Sequence, residues 1–126
     1  MLKALGPASW LHLHGKFERE QVTAVYKAVD IVVLPSICQE SFGLVVAEAL
    51  SAGRPVLSTR CGRPEDQIED GVNGWLVEPN NPAAQSTLIR QLAVNPLTVE
   101  AVATNWIIIK THDKYLGEIE KFFNFY

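Results

Sequence analysis

Parallel strands covered by helices, an α/β fold, is what the pattern of this chain predicts, and three observations carry the prediction. Short strand-like runs recur at 31–34, 56–59 and 75–77. Helical spacing separates them, as in a chain that crosses over between parallel strands. Pro35, Gly53, Pro64, Gly71, Gly74 and Pro82 punctuate the junctions, where a turn or a helix start is needed.

The elements follow in order. Leu11 to His14 reads as a first strand, ended by Gly15. Glu18 to Val29 reads as an amphipathic helix, with Val22, Val25, Tyr26 and Val29 on one face. Ile31 to Leu34 is a continuous apolar run stopped by Pro35, as expected for a strand buried on both faces. A helix from about Phe42 to Ala52 is closed by Gly53, which suits a left-handed C-terminal cap. Val56 to Thr59 is the next strand. A short helix over about Pro64 to Glu69 has Pro64 at its first position, where a missing N–H is harmless.

Gly71-Val72-Asn73-Gly74 is a turn into the last strand, Trp75 to Val77. Pro82 opens a helix over 83–93, with Leu88, Ile89 and Leu92 inward. After Asn95-Pro96 two more helical segments are expected, about 97–109 and 112–125. Trp106, Ile107, Ile108, Ile109, Phe122, Phe123 and Phe125 exceed what a solvated tail needs, so these segments should dock onto something.

Composition bounds the function. The 126 residues, 48 % hydrophobic and 20 % charged, suit one domain with an ordinary core. A net charge of -3 lacks the basic excess of a nucleic-acid binder. Apolar runs of four or five residues fall far short of the roughly 20 that span a membrane, and the first residues lack the apolar core of a signal peptide, so a cytoplasmic chain is expected. Cys38 and Cys61 make neither a disulfide framework nor a metal site with histidine. They read as packing thiols, and no metal or cofactor is expected.

One charge stands out. Gly43 to Ala52 has Glu48 as its only ionisable side chain, and a carboxylate on an otherwise apolar helix is costly unless something hydrogen-bonds it. Hydroxyl groups of a ligand would do so. At the preceding turn, the N–H groups of Phe42, Gly43 and Leu44 would open a helix, where unpaired donors and the dipole attract phosphate. Gly43 lets a phosphate approach without a Cβ in the way.

Glu40-Ser41-Phe42-Gly43-Leu44, then Glu48-Ala49-Leu50, then Gly53 and Pro55-Val56, resembles the signature of two glutamates separated by seven residues in retaining glycosyltransferases of the GT-B type, glycosyl transferases group 1. His14-Gly15-Lys16-Phe17, Ala28-Val29-Asp30-Ile31, Gly62 with Glu65, and Asp70 to Val77 agree with the family in order and spacing. The resemblance runs from about Leu11 to about Leu92 and more loosely to the end.

The resemblance implies a Rossmann-like sheet of about four strands flanked by helices, a truncated donor domain over 1–126 with a leader at 1–10 and C-terminal helices at 97–126. It implies a nucleotide-diphosphate sugar as ligand. Glu40 would orient the donor sugar as the catalytic carboxylate, Glu48 would hold the ribose hydroxyls, and Ser41, Phe42, Gly43 and Leu44 would line the diphosphate. Gly15, Lys16 and Phe17 would lie near the base. An ionised carboxylate is an acceptor only and suits such diols.

Read without it, Glu40 is a solvated turn residue, Glu48 pairs with Arg54 or Arg60, Lys16 is a loop residue, and His12 and His14 are a hydrogen-bonded or surface pair. Cys61-Gly62 departs from the family's double glycine, with Arg63 in second place. Its side chain either narrows the donor pocket or points to water.

Relatives carry two domains, and upstream of the stretch matching Leu11 they place a strand with an Arg and a Lys that neutralise the diphosphate. Met1 to Trp10 cannot hold that strand, so the chain is expected to be inactive alone. It would then need an acceptor-domain partner or self-associate. Strand 11–14 would pair directly with strand 31–34 across the gap. A non-catalytic nucleotide-sugar-binding subunit and a truncated inactive product are the alternatives.

Overall fold

The computed structural model describes residues 9–39 and 43–109. A 3-10 turn at Arg19–Gln21 leads into α1 (Val22–Lys27), followed by β1 (Val32–Leu34), α2 (Leu44–Ser51), β2 (Val56–Thr59), α3 (Arg63–Gln67), β3 (Gly74–Val77), α4 (Pro82–Val94) and α5 (Pro96–Ile109). The strands form one parallel sheet in the order β1-β2-β3. Val56 sits opposite Val32 on one side and Gly74 on the other.

β2 divides the interior. All four of its residues are buried, and alternate side chains point to opposite faces. Val56 joins Tyr26, Val46, Ala49, Leu50 and Ile68 under α1, α2 and α3. Leu57 joins Trp75, Leu92 and Val102 under α4 and α5. The result is a sheet with a core on each face, the three-layer solution of α/β chains. Gly74 is required for closeness, because a Cβ there would run into the Val56 carbonyl oxygen.

Helix ends follow local chemistry. Gly53 adopts φ +75° after α2, as the cap expectation required, and its N–H donates to Leu50 O at 2.9 Å. Asn81 caps α4 by accepting from the Ala84 N–H at 3.1 Å. Asn73, 2 % exposed, is more than a turn residue. Its Oδ1 accepts from the Glu69 N–H at 2.8 Å and its Nδ2 donates to Gln67 O at 2.9 Å, clamping the end of α3 to the start of β3.

Four expectations are corrected. Leu11–His14 forms no strand and does not pair with β1; His12, Leu13 and His14 are exposed, so the sheet has three described strands rather than about four. An alternating segment with no buried face gains too little to offset the ordering of its backbone. β1 is consequently an edge strand with Val33 exposed, not one covered on both faces. Ile89 faces solvent while Leu92 is buried. α3 starts at Arg63, which leaves Pro64 at its second position, still ahead of the first intrahelical bond.

The first half of α5 packs on the sheet, whereas the side chains of Trp106, Ile107, Ile108, Ile109, Phe122, Phe123 and Phe125, on which the docking expectation rests, lie outside the described residues. Val102 is 4 % exposed and packs with Leu57, Trp75 and Leu92. The expected helix over 112–125 lies outside the described residues, as do the leader residues before 9.

Candidate functional site

The carboxyl end of β1 is held by side chains from β2 and the residue pair after it. Ser58 Oγ donates to Leu34 O at 3.3 Å, Thr59 Oγ1 donates to Ser36 O at 2.5 Å, and Cys61 Sγ donates to the same carbonyl at 3.1 Å. Cys61 is therefore a buried packing thiol, whereas Cys38 is exposed. These bonds fix where the chain leaves the sheet on its way to α2. In open parallel sheets, ligands bind outside the strand ends at such a place.

Glu40, Ser41 and Phe42 lie outside the described residues. Of the predicted turn, Gly43 and Leu44 are described, and they open α2. Gly43 has φ +59° and ψ +33°, a left-handed conformation. A Cβ there would collide with Gln67 Nε2 and stand 3.3 Å from the Arg63 Cβ. Glycine is thus needed both for the backbone angle and for the approach of α3.

The Gly43 carbonyl accepts from the Ala47 N–H at 3.0 Å and from Gln67 Nε2 at 3.4 Å. The first N–H groups of α2 have no partner within the helix. Leu44 is exposed at this end. Arg63 adds a cation beside the turn, half exposed, with Nη1 3.7 Å from Asp66 Oδ2. It therefore both backs onto Gly43 and reaches water.

Glu48 sits one turn further along α2, half-buried. Neither arginine pairs with it. Arg54 Nη2 donates to Lys27 O at 3.0 Å, and Arg60 Nε lies 3.2 Å from Glu78 Oε1. The donor to Glu48 is Tyr26, whose hydroxyl reaches Oε2 at 3.0 Å from the buried face of α1. Burial pushes the Tyr26 phenol up to about 12, and the hydrogen bond to Glu48 and its negative charge act in the same direction. The phenol is thus a protonated donor at any neutral pH. Among the described residues no other donor reaches Glu48, so Oε1 and the second lone pair of Oε2 can take hydroxyl groups.

The remaining candidates are not gathered with these. Gly15 (φ +68°), Lys16 and Phe17 lie in the exposed, non-repetitive segment before the 3-10 turn. Among the described residues no side-chain hydrogen bond joins them to α2. The rings of His12 and His14 lie 6.3 Å apart and tilted by 33°, and both are exposed. No group of three His, Cys, Asp or Glu among the described residues could hold a metal. No helix among them is long and apolar enough to cross a membrane.

The family model for glycosyl transferases group 1 matches residues 1–107. The chain belongs to that family. Among curated relatives, the D-inositol 3-phosphate glycosyltransferase of Corynebacterium kroppenstedtii is 44 % identical over 73 residues, which are 58 % of this chain and 16 % of that protein. The one from Streptomyces coelicolor is 38 % identical over 92 residues, covering 73 % of this chain and 20 % of that protein. The chain thus matches about a fifth of the length of these glycosyltransferases.

Solved structures agree on the fold. The C-terminal domain of a glycosyl transferase group 1 family protein from Francisella tularensis superposes with a TM-score of 0.65 at 29 % identity, over 75 % of this chain and 48 % of that one. The Anabaena protein HepE, solved with UDP-glucose, gives 0.70 at 24 % identity over 86 % of this chain and 31 % of that one. The group 1 fold is therefore the Rossmann-like GT-B arrangement that the sequence resemblance implied.

Two neighbours of the candidate residues escape sequence reasoning. Helical spacing places Tyr26 on the inner face of its helix but not opposite Glu48. Nothing in the spacing singles out Gln67, although it closes on Gly43. The available signal is a lone carboxylate and a tyrosine on consecutive apolar faces: both need a buried polar partner, and each is the other's simplest solution.

Proposed function

We propose that this chain is the donor-binding part of a retaining glycosyltransferase that moves a sugar from a nucleotide diphosphate to an acceptor. The observation that carries the reading is the α2 N-terminus at Gly43, where Leu44 is exposed, together with a half-buried Glu48 whose donor among the described residues reaches one oxygen. Support comes from family membership and from the UDP-glucose complex of HepE. Diphosphate oxygens meet the N–H groups of Gly43 and Leu44, together with those of Ser41 and Phe42. The ribose diol meets Glu48.

Glu40 orients the donor sugar, and stabilisation of the departing diphosphate falls to helix N–H groups and cations. Arg63 is a cation of this chain already standing beside the turn. Gly15, Lys16 and Phe17 belong to the nucleotide-base end of the site in this reading, on a segment that the ligand itself would order. The chain is a partial donor domain, and turnover requires an acceptor-binding domain supplied by a partner or by a longer polypeptide.

The test has two stages. Calorimetric titration with UDP, GDP and ADP and their glucose or mannose derivatives should show binding of at least one nucleoside diphosphate. No binding to any of them rejects the reading in favour of an inactive product. Transfer is then assayed with an acceptor domain present. Glu40→Ala should abolish transfer while the circular dichroism spectrum is preserved. Binding that persists with no transfer under any acceptor condition would instead identify a non-catalytic subunit.

A further inference from the structure

Resting on the reading of Glu48 as the ribose carboxylate, we propose that Tyr26 is a positioning residue that sets the ribose selectivity of the site through its hydrogen bond to Glu48. Three features of the structure converge on this role. The Tyr26 ring is 7 % exposed and packs in the core with Val46, Ala49 and Leu50 of α2, so its hydroxyl is delivered from a rigid base. That hydroxyl donates to Glu48 Oε2 at 3.0 Å. The next residue of α1, Lys27, is tied through its carbonyl to Arg54 Nη2 beyond the far end of α2, so α1 is held against α2 both at Tyr26 and at its C-terminal end.

A glutamate on a helix surface samples several rotamers, and a ligand that needs one of them loses affinity for the ordering. The phenol removes that cost by holding one oxygen before the ligand arrives. It also keeps the carboxylate from turning back along the helix. The raised titration of Tyr26 means that the donor is not lost at physiological pH. A carboxylate so held accepts two hydroxyl groups side by side, which is what separates a ribose from a 2′-deoxyribose.

The experiment compares binding of UDP, GDP and ADP with binding of their 2′-deoxy counterparts to the full chain and to Tyr26→Phe, Glu48→Gln and the double variant. The expected wild-type preference for the ribonucleotide is about tenfold or more, the size of a charge-assisted hydrogen bond. Glu48→Gln should erase it. Tyr26→Phe keeps the ring packing and should reduce the preference by roughly fivefold, the size of one net hydrogen bond. It should add nothing in the Glu48→Gln background. General loosening of the fold would weaken both nucleotides alike and leave their ratio unchanged.

Unaltered selectivity in Tyr26→Phe overturns the positioning role while leaving Glu48 in place. Selectivity that survives Glu48→Gln removes Glu48 from the ribose and the Tyr26 role with it. Absence of any nucleotide binding by the wild type overturns the donor-site reading itself. Should the Tyr26→Phe variant fail to fold, replacement of Tyr26 by 3-fluorotyrosine keeps the packing and strengthens the donor. The preference then rises, and an unchanged ratio counts against the proposal.

Discussion

The end of β1 and the segment before α1 are both predicted parts of one site, yet the structure treats them in opposite ways. Residues 34–36 are gripped by Ser58, Thr59 and Cys61, and Gly43 is backed by Gln67 and Arg63. Residues 12–18 are exposed, and their expected strand does not form. The two regions differ in what lies beside them. The first abuts β2, whose four residues are buried; the second pairs with none of the described strands. Among the described residues of the expected site, the held groups are therefore those that touch the central strand or the helices covering it.

That contrast breaks most directly with a pair of truncations. Leu57→Ala removes a fully buried side chain from the α4–α5 side of the sheet and should cost about 2 to 5 kcal/mol. Leu13→Ala, at a position 62 % exposed, should change stability by no more than about 0.5 kcal/mol. Urea denaturation measures both, and comparable losses would mean that the N-terminal segment is as built as the sheet.

Next in size is the alkaline behaviour of the α1–α2 contact. Tyr26 titrates at about 12 in the folded chain against 10 for an ordinary tyrosine. Folding therefore favours the neutral phenol. Its contribution is fully present below pH 10 and is lost as pH rises from 10 through about 12, amounting to at most about 3 kcal/mol. Ultraviolet difference titration of wild type against Tyr26→Phe isolates this phenol. Glu48→Gln should move it downward, though not to 10, because burial is the largest cause. A phenol that titrates near 10 would show that the contact is open to water.

The smallest effect sharpens the comparison at the turn itself. Gly43→Ala should destabilise the chain by about 1 to 2 kcal/mol, from its left-handed backbone and from the collision with Gln67 Nε2. Gln67→Ala in the same chain should recover part of that loss, because the obstructing atom is the end of a flexible side chain. Thermal melts of the two single variants and the double variant read this directly. Full additivity would mean that α3 does not press on the turn.

Legibility from the sequence divides along the same line. β2 appears at 56–59 as expected, α2 ends at a left-handed Gly53, and α4 covers the range its spacing predicts with one more residue at each end. Each of these is specified by neighbours in sequence. The segment 11–14 carries an equally clear alternation of Leu and His, but a strand exists only through a partner, and no local pattern reveals whether one is present. The same limit hides the Tyr26–Glu48 contact. Periodicity puts Tyr26 on an inner face, and the apolar setting of Glu48 demands a donor, but 22 residues separate them.

The amino-acid sequence by itself determined the α/β class, the family, the position of the helix-opening glycine and the presence of one carboxylate in an apolar helix. Those follow from residue type and short-range spacing, which act through backbone angles and hydrophobic period. Only the tertiary structure decided which group answers that carboxylate, that Gln67 and Arg63 stand behind Gly43, and that the described sheet stops at β1. Such outcomes depend on which helix faces meet across the sheet, because the cost of burying a polar group is settled by whatever partner packing brings within about 3 Å.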